Sequence, residues 1–316
     1  MSIARSPTSA ATAVVFGYGD IGLRCTRILL DQGVAVELVV THEDDPHENR
    51  WYGSLAEFAA QHSLPCVTPP NVDERLIARV ATLAPDFIFS FYYRHMIPMP
   101  LLWHARRGAL NMHGSLLPRF RGRAPVNWAI VRGARETGAT LHYMVEKADA
   151  GDIVDQAAVP IGEDDTAVDV FYKVADAAEL ILARSVPLLI AGSAPRRPQN
   201  LAEGEYCGRR RPEDGRIDWS RPAREIHNLV RAVAPPFPGA FAFINGERWL
   251  VARTRVLPRK PAANDEALKL RAEDGACVVT CADGERLCLL QAANERGPID
   301  LSVFSQSLAY SPLPVS

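Results

Sequence analysis

No stretch of the 316-residue chain approaches the roughly 18 consecutive apolar residues that a membrane-crossing helix needs. The opening MSIARSPTSAATAVV lacks a basic cluster joined to a long apolar run, so it reads as a short disordered lead and not as a secretory signal. A cytoplasmic location without membrane insertion is therefore expected. Cysteine is sparse, with six residues at positions 25, 66, 207, 277, 281 and 288 and no Cys-x-x-Cys pair. Cys277 and Cys281 lack a partner pair, which argues against zinc or another metal and for reduced thiols. A surplus of one charge is missing too. Thirty-five Lys and Arg face 37 Asp and Glu, a net of −2, so nucleic acid is not an expected partner. No internal repeat is visible.

What remains is the composition of a globular protein, 47% hydrophobic and 23% charged, long enough for one large core or two domains. Strand-like segments at 13–16, 34–40, 65–68, 87–91, 109–113, 140–144 and 153–159 alternate with helix-like ones. The helical segments are 21–32, 55–62, 74–83, 125–132 and a long one opened by Asp164-Asp165-Thr166. Ile21, Cys25, Ile28 and Leu29 share one helical face, and Gly33 stands where a C-terminal cap belongs. Repeated β-α alternation predicts an α/β fold, a Rossmann-like, doubly wound, mainly parallel sheet.

The pattern changes after the Pro- and Arg-rich connector at 191–198. Short strands at 240–244, 249–255, 268–271, 276–280 and 286–291 follow, with hairpin signals at Asn245-Gly246 and Asp283-Gly284. They predict a small OB-like β-barrel. Residues 1–200 are thus expected to form the catalytic domain and 201–316 the barrel domain, with no strong pattern at 301–316.

Chemistry is densest in ALNMHGSLLPRFRGRAPVN, residues 109–127. Asn111 and His113 lie two apart on a predicted strand, so both leave the same face near its carboxyl end, where open α/β sheets bind ligands. Arg119, Arg121 and Arg123 supply cations in the loop beyond, and Asp149 follows after another strand. An imidazole beside a carboxylate forms an acid/base unit, because the carboxylate raises the imidazole pKa and fixes its tautomer. A nearby Asn amide can donate to a developing oxyanion. His42, His47, His62, His104 and His227 show no partner pattern and read as surface residues. Tyr92, Tyr93 and Trp128 read as pocket-wall packing, and Phe91 as core.

The run Asn111-Met-His113-Gly-Ser-Leu-Leu-Pro118-Arg-Phe-Arg121-Gly122, with Asp149-Ala-Gly151, resembles the paired motifs of the 10-formyltetrahydrofolate-dependent formyltransferases. The segments FSFYYRH (89–95), RGRAPVNW (121–128), Thr140-Leu-His142, CGRR (207–210) and LVRAVA (229–234) are most similar to the branch acting on UDP-4-amino-4-deoxy-L-arabinose. That branch serves lipid A modification and polymyxin resistance. The resemblance implies formyl transfer from 10-formyltetrahydrofolate to the amine of a UDP-amino sugar, with neither metal nor NAD. Asn111 would stabilise the oxyanion, His113 would protonate the departing folate nitrogen, and Asp149 would hold His113. His95, Met96, Ile97, Arg123 and Val145, Glu146, Lys147, Ala148 and Asp149 would contact the folate. Known members carry a fused decarboxylase domain, so a separate decarboxylase partner is a further implication.

Two rivals remain. A methionyl-tRNA formyltransferase would share the Asn/His/Asp set, but residues 201–316 hold 16 Lys and Arg against 15 Asp and Glu, a poor match to RNA. A dinucleotide oxidoreductase would use Gly17-Tyr-Gly19-Asp-Ile-Gly22. It needs an acid near the end of the second strand, for which Glu37 and Glu43 are ambiguous.

Overall fold

The computed structural model describes residues 10–44, 50–259, 268–308 and 312–316. Residues 1–9 of the N-terminal lead and His47 lie outside them.

The chain opens with β1 (Thr12–Gly17), α1 (Gly19–Asp31), β2 (Ala35–Val40), α2 (Leu55–Gln61), β3 (Cys66–Val67) and α3 (Glu74–Leu83). Then come β4 (Phe87–Phe91), α4 (Met99–Leu102), β5 (Gly108–His113), β6 (Arg121–Gly122) and α5 (Pro125–Val131). β7 (Glu136–Tyr143), β8 (Ile153–Pro160), α6 (Ala167–Ala191) and β9 (Tyr206–Cys207) follow. α2 and α3 start on side-chain caps, Ser54 to the Glu57 amide and Asp73 to the Leu76 amide.

The first sheet has the order β3-β2-β1-β4-β5-β7-β8. β1, β2, β3, β4 and β5 are parallel, whereas β7 runs antiparallel to β5. Winding reverses between β1 and β4, a topological switch point. Fully buried Val14, Phe16, Leu38, Val40 and Ile88 pack with Val80, Ile97 and Leu101 on one face. Strands buried on both sides account for the unbroken apolar run of β4, which would alternate in a half-exposed sheet. At the first turn, a Cβ on Gly17 would stand 2.7 Å from Leu55 Cδ2 and 3.3 Å from Gly22 Cα, so these two glycines let helix and strand meet.

The C-terminal part contains α7 (Ala223–Ala232), β10 (Ala240–Ile244), β11 (Glu247–Leu257), β12 (Lys269–Glu273) and β13 (Ala276–Thr280). It continues with β14 (Arg286–Asn294), β15 (Gly297–Pro298), α8 (Leu301–Leu308) and β16 (Leu313–Pro314). An antiparallel sheet ordered β10-β11-β14-β13-β12-β16 curls round until Val315 bridges back to Ile244. Trp249 fills the interior, edge-on to Phe304 of α8 at 4.8 Å.

Three helices lie outside the segments the sequence predicts: the four-residue α4, α7 and α8. α7 buries Ile226, Val230, His227, Asn228 and Arg231, a face too polar to read as apolar periodicity. α8 spans residues where no pattern was expected. Asp300 caps its Ser302 and Val303 amides, but Ser305 on its inner face thins the apolar stripe.

The chain forms two compact units that do not follow one cut. Arg123–Glu136 and Pro160–Phe171 group with Gly208–Ser316, and the remainder forms the first unit.

Candidate active site

β5 lies between β4 and β7, with Asn111 paired to Ser90 on one side and to His142 on the other. His113 closes the strand and is buried. Its Nε2 donates to the Phe120 carbonyl at 2.9 Å, because a carbonyl can only accept. Its Nδ1 faces Asp149 Oδ1 at 3.6 Å. Asp149 Oδ2 accepts from the Gly122 amide at 2.7 Å, so the two motifs meet in one hydrogen bond.

His142 completes the group. Its Nδ1 donates to the Tyr143 carbonyl at 2.8 Å, which leaves Nε2 to accept from the Asn111 amide at 3.2 Å. The same Nε2 lies 3.6 Å from Asp149 Oδ1. Thr140-Leu-His142 stood among the matching segments, but nothing in its spacing revealed that the ring would hold Asn111.

The SLLP loop is held from behind. Thr140 Oγ1 donates to the Ser115 carbonyl at 2.6 Å and accepts the Leu117 amide at 3.1 Å, while Gln156 donates to the Leu117 carbonyl at 2.9 Å. Gln199 donates to the carbonyls of Asp149 and Gly151 at 3.0 and 2.7 Å. The motif glycines are steric necessities. A Cβ on Gly122, whose φ is +98°, would stand 2.3 Å from the Cys207 carbonyl oxygen, and one on Gly151 would stand 2.0 Å from that of Tyr143.

Electrostatics differ from the simple expectation. Burial pushes the His113 pKa below its ordinary value and outweighs the opposite pull of Asp149 and the Phe120 carbonyl. Burial also acts to raise the Asp149 carboxyl, but His113, His142 and the Gly122 amide prevail and hold it at about 2. At neutral pH the site thus holds an ionised carboxylate beside a neutral imidazole.

Of the three arginines, Arg121 is buried and reaches the Leu201 and Gly204 carbonyls at 3.3 and 3.4 Å. Arg119 lies 5.3 Å over the Phe120 ring, and Arg123 is exposed and begins the second unit. His95 and Met96 are exposed, whereas Ile97 enters the core cluster against which Met144 also packs. That cluster joins the loop after β4 to the Val145–Asp149 approach. Val145, Glu146 and Lys147 are exposed and Ala148 partly so.

An aromatic group lines the switch point. His42 stacks on Tyr93 at 4.4 Å and meets His95 edge-on at 4.7 Å, while the Arg94 guanidinium lies 4.1 Å over Tyr18. Burial and the neighbouring His95 and Arg94 lower the His42 pKa to about 4. His42 is therefore not a plain surface residue. His227 is not one either, being buried against Thr254. Trp128 donates to the Gly208 carbonyl within the second unit.

Among the described residues no group of three or more His, Cys, Asp or Glu could hold a metal, and no helix is long and apolar enough to cross a membrane. The formyl transferase family model matches residues 21–186, and the formyl transferase C-terminal domain model matches residues 210–308. The chain belongs to the formyl transferase family. Its enzymatic class follows from that membership.

Solved structures of similar fold accompany it. WlaRD, a sugar 3N-formyl transferase solved in the presence of dTDP and 5-N-formyl-THF, matches with TM-score 0.69 at 19% identity over 92% of this chain and 99% of its own. An N-formyltransferase from Helicobacter canadensis, in complex with folinic acid and dTDP-3-aminofucose, gives 0.68 at 20% over 88% and 98%. HypX from Aquifex aeolicus in complex with tetrahydrofolic acid gives 0.57 at 19% over 89% of this chain and 44% of its own.

Proposed function

We propose that this formyl transferase moves the formyl group of 10-formyltetrahydrofolate onto the 4-amine of UDP-4-amino-4-deoxy-L-arabinose. The observation that carries it is the polar group at the carboxyl end of β5, where the Asn111–His142 and Gly122–Asp149 hydrogen bonds are joined by 3.6 Å contacts of Asp149 with His113 and His142. The neutral amine attacks the formyl carbon, and the Asn111 amide donates to the oxyanion that develops. With its ring proton moved to Nδ1, beside Asp149, a neutral His113 takes at Nε2 the proton the amine sheds and returns it to the departing folate nitrogen. The new nitrogen–carbon bond forms, the old one breaks, and the proton ends on the folate. His113 must exchange the Phe120 carbonyl for the reacting groups to do this. The Asp149 carboxylate stabilises the transient imidazolium.

The folate contacts proposed are the 95–97 loop, Val145, Glu146, Lys147, Ala148 and Asp149, and Arg123. The aromatic and cationic group of buried Tyr18, half-buried His42 and exposed Arg94 suits the nucleotide half of the acceptor. A second acceptor, a dTDP-linked amino sugar, is favoured by the dTDP-3-aminofucose in one similar structure and the dTDP in another. Purified protein with 10-formyltetrahydrofolate should be offered UDP-4-amino-4-deoxy-L-arabinose, a dTDP-3-amino sugar and methionyl-tRNA in parallel. The UDP sugar is expected to give the highest kcat/KM. Preference for the dTDP sugar selects the second acceptor, and formylation of the tRNA alone overturns both.

A further inference from the structure

The second unit contains a cavity of about 60 Å³ lined by Arg231, Arg253, Arg255, His227, Thr254 and Leu290, among others. A bound water occupies about 10–15 Å³ measured this way, so the space admits several waters or one tetrahedral oxyanion. Three arginines are among the lining residues, and Asp164, whose side chain is 73% exposed, is the one acidic residue among them.

Two independent features concentrate positive charge there. The first is the β11 backbone. Trp249 and Val251 point into the barrel, and strict alternation would send Arg253 after them. The register with β14 instead shifts on both sides of Arg253. Thr254 takes the inward position, and Arg253 and Arg255 both emerge on the outer face. Bulges commonly re-aim a side chain in this way. Neither guanidinium forms an ion pair with a carboxylate among the described residues. The second feature is Arg231, 7% exposed, whose hydrogen bonds run to the neutral oxygens of Asn228, Gly162 and Asp165. Among the described residues no carboxylate oxygen is one of its hydrogen-bond partners, and the Asp165, Asp164 and Glu163 carboxylates offset its charge only from a distance.

We propose that this cavity is an anion site that takes one phosphate group, free or as the terminal phosphate of a larger molecule, gripped by Arg253 and Arg255 beside Arg231. Guanidinium forks match phosphate oxygens two at a time, which a lysine does not reproduce. Neighbouring groups are already settled. His227 donates from Nε2 to the Glu163 carbonyl at 3.0 Å and accepts from Thr254 at Nδ1 at 2.9 Å. The site lies wholly in the second unit and does not depend on which amino sugar is formylated.

Calorimetric titration of the full chain with inorganic phosphate, pyrophosphate and UDP tests it, comparing the unmodified protein with Arg253→Ala/Arg255→Ala and Arg253→Lys/Arg255→Lys. Both positions are exposed, so circular dichroism should show all three folded. Pyrophosphate affinity is expected to fall tenfold or more in the alanine pair and less in the lysine pair, on the order expected for lost charge-assisted hydrogen bonds. An equal fall for UDP identifies a nucleotide diphosphate as the ligand. A fall confined to phosphate and pyrophosphate identifies the free anion. Equal pyrophosphate affinity in the unmodified protein and the alanine pair, or no binding to either, overturns the proposal.

Discussion

The Asn111 amide nitrogen lies 3.2 Å from His142 Nε2, across the β5–β7 pairing. Because Nδ1 of that ring is committed to the Tyr143 carbonyl, Nε2 is an acceptor, and it fixes which way the Asn111 amide faces. His142→Phe keeps a ring but removes the acceptor. We expect kcat to fall roughly tenfold with KM for the folate little changed, a smaller loss than deleting an oxyanion donor outright. Steady-state kinetics checks this, and an unchanged kcat would show that the amide is held by other means.

Direct removal of the proposed chemistry should cost more. Asn111→Ala and His113→Ala are each expected to lower kcat about 10²–10³-fold, the range for an oxyanion donor or a proton-transfer group. Circular dichroism should be unchanged. Near-normal turnover in either folded variant contradicts its assignment.

Acid sensitivity follows from two depressed pKa values. Asp149 titrates near 2 when folded and near 3.8 when exposed, so its contribution to stability is complete above 3.8 and disappears as pH falls towards 2. Folded His113 resists protonation below the ordinary 6.5, so its contribution fades as pH falls through that value. Urea unfolding at pH 7, 5 and 3 should show His113→Asn to be less pH-dependent between 7 and 5. In Asp149→Asn, the His113 ring protons should titrate still lower by NMR, since the carboxylate is what opposes burial. An upward move would reverse the assigned sign.

The motif glycines predict a stability effect separate from chemistry. Gly151→Ala drives a methyl to 2.0 Å from a carbonyl oxygen and should destabilise by about 1–3 kcal/mol, as overpacking does. Gly122→Ala should do likewise and also move the amide that holds Asp149. Gly208→Ala is the control, because nothing lies within 4 Å of the added carbon. Thermal melting distinguishes the three.

The sequence exposed the parallel strands, because burial on both faces writes them as apolar runs such as FIFSF. Asn111, His113 and Asp149 were legible through their motifs. The role of His142 was not, since it depends on an antiparallel register that pairs residues 31 positions apart. The fate of Arg121 was equally hidden. An arginine in a loop looks like a surface cation until its partners are known, and these are carbonyls 80 residues further on. α7 was not legible because its buried Arg231 bonds Asn228 and the loop at 162–165, and its buried His227 bonds Glu163 and Thr254, partners that only tertiary structure reveals.

β16 is two residues long, yet it pairs with β12 on one side and, through Val315 and Ser316, with Ile244 and Phe243 of β10 on the other. It therefore acts as a latch on two sheet edges at once. Deleting the residues after Leu308 would bare both rows of backbone donors and acceptors, the form in which sheets recruit strands from neighbouring molecules. A bulky fusion at that end would strain the same latch, so self-association is the hazard to expect from altering this short tail.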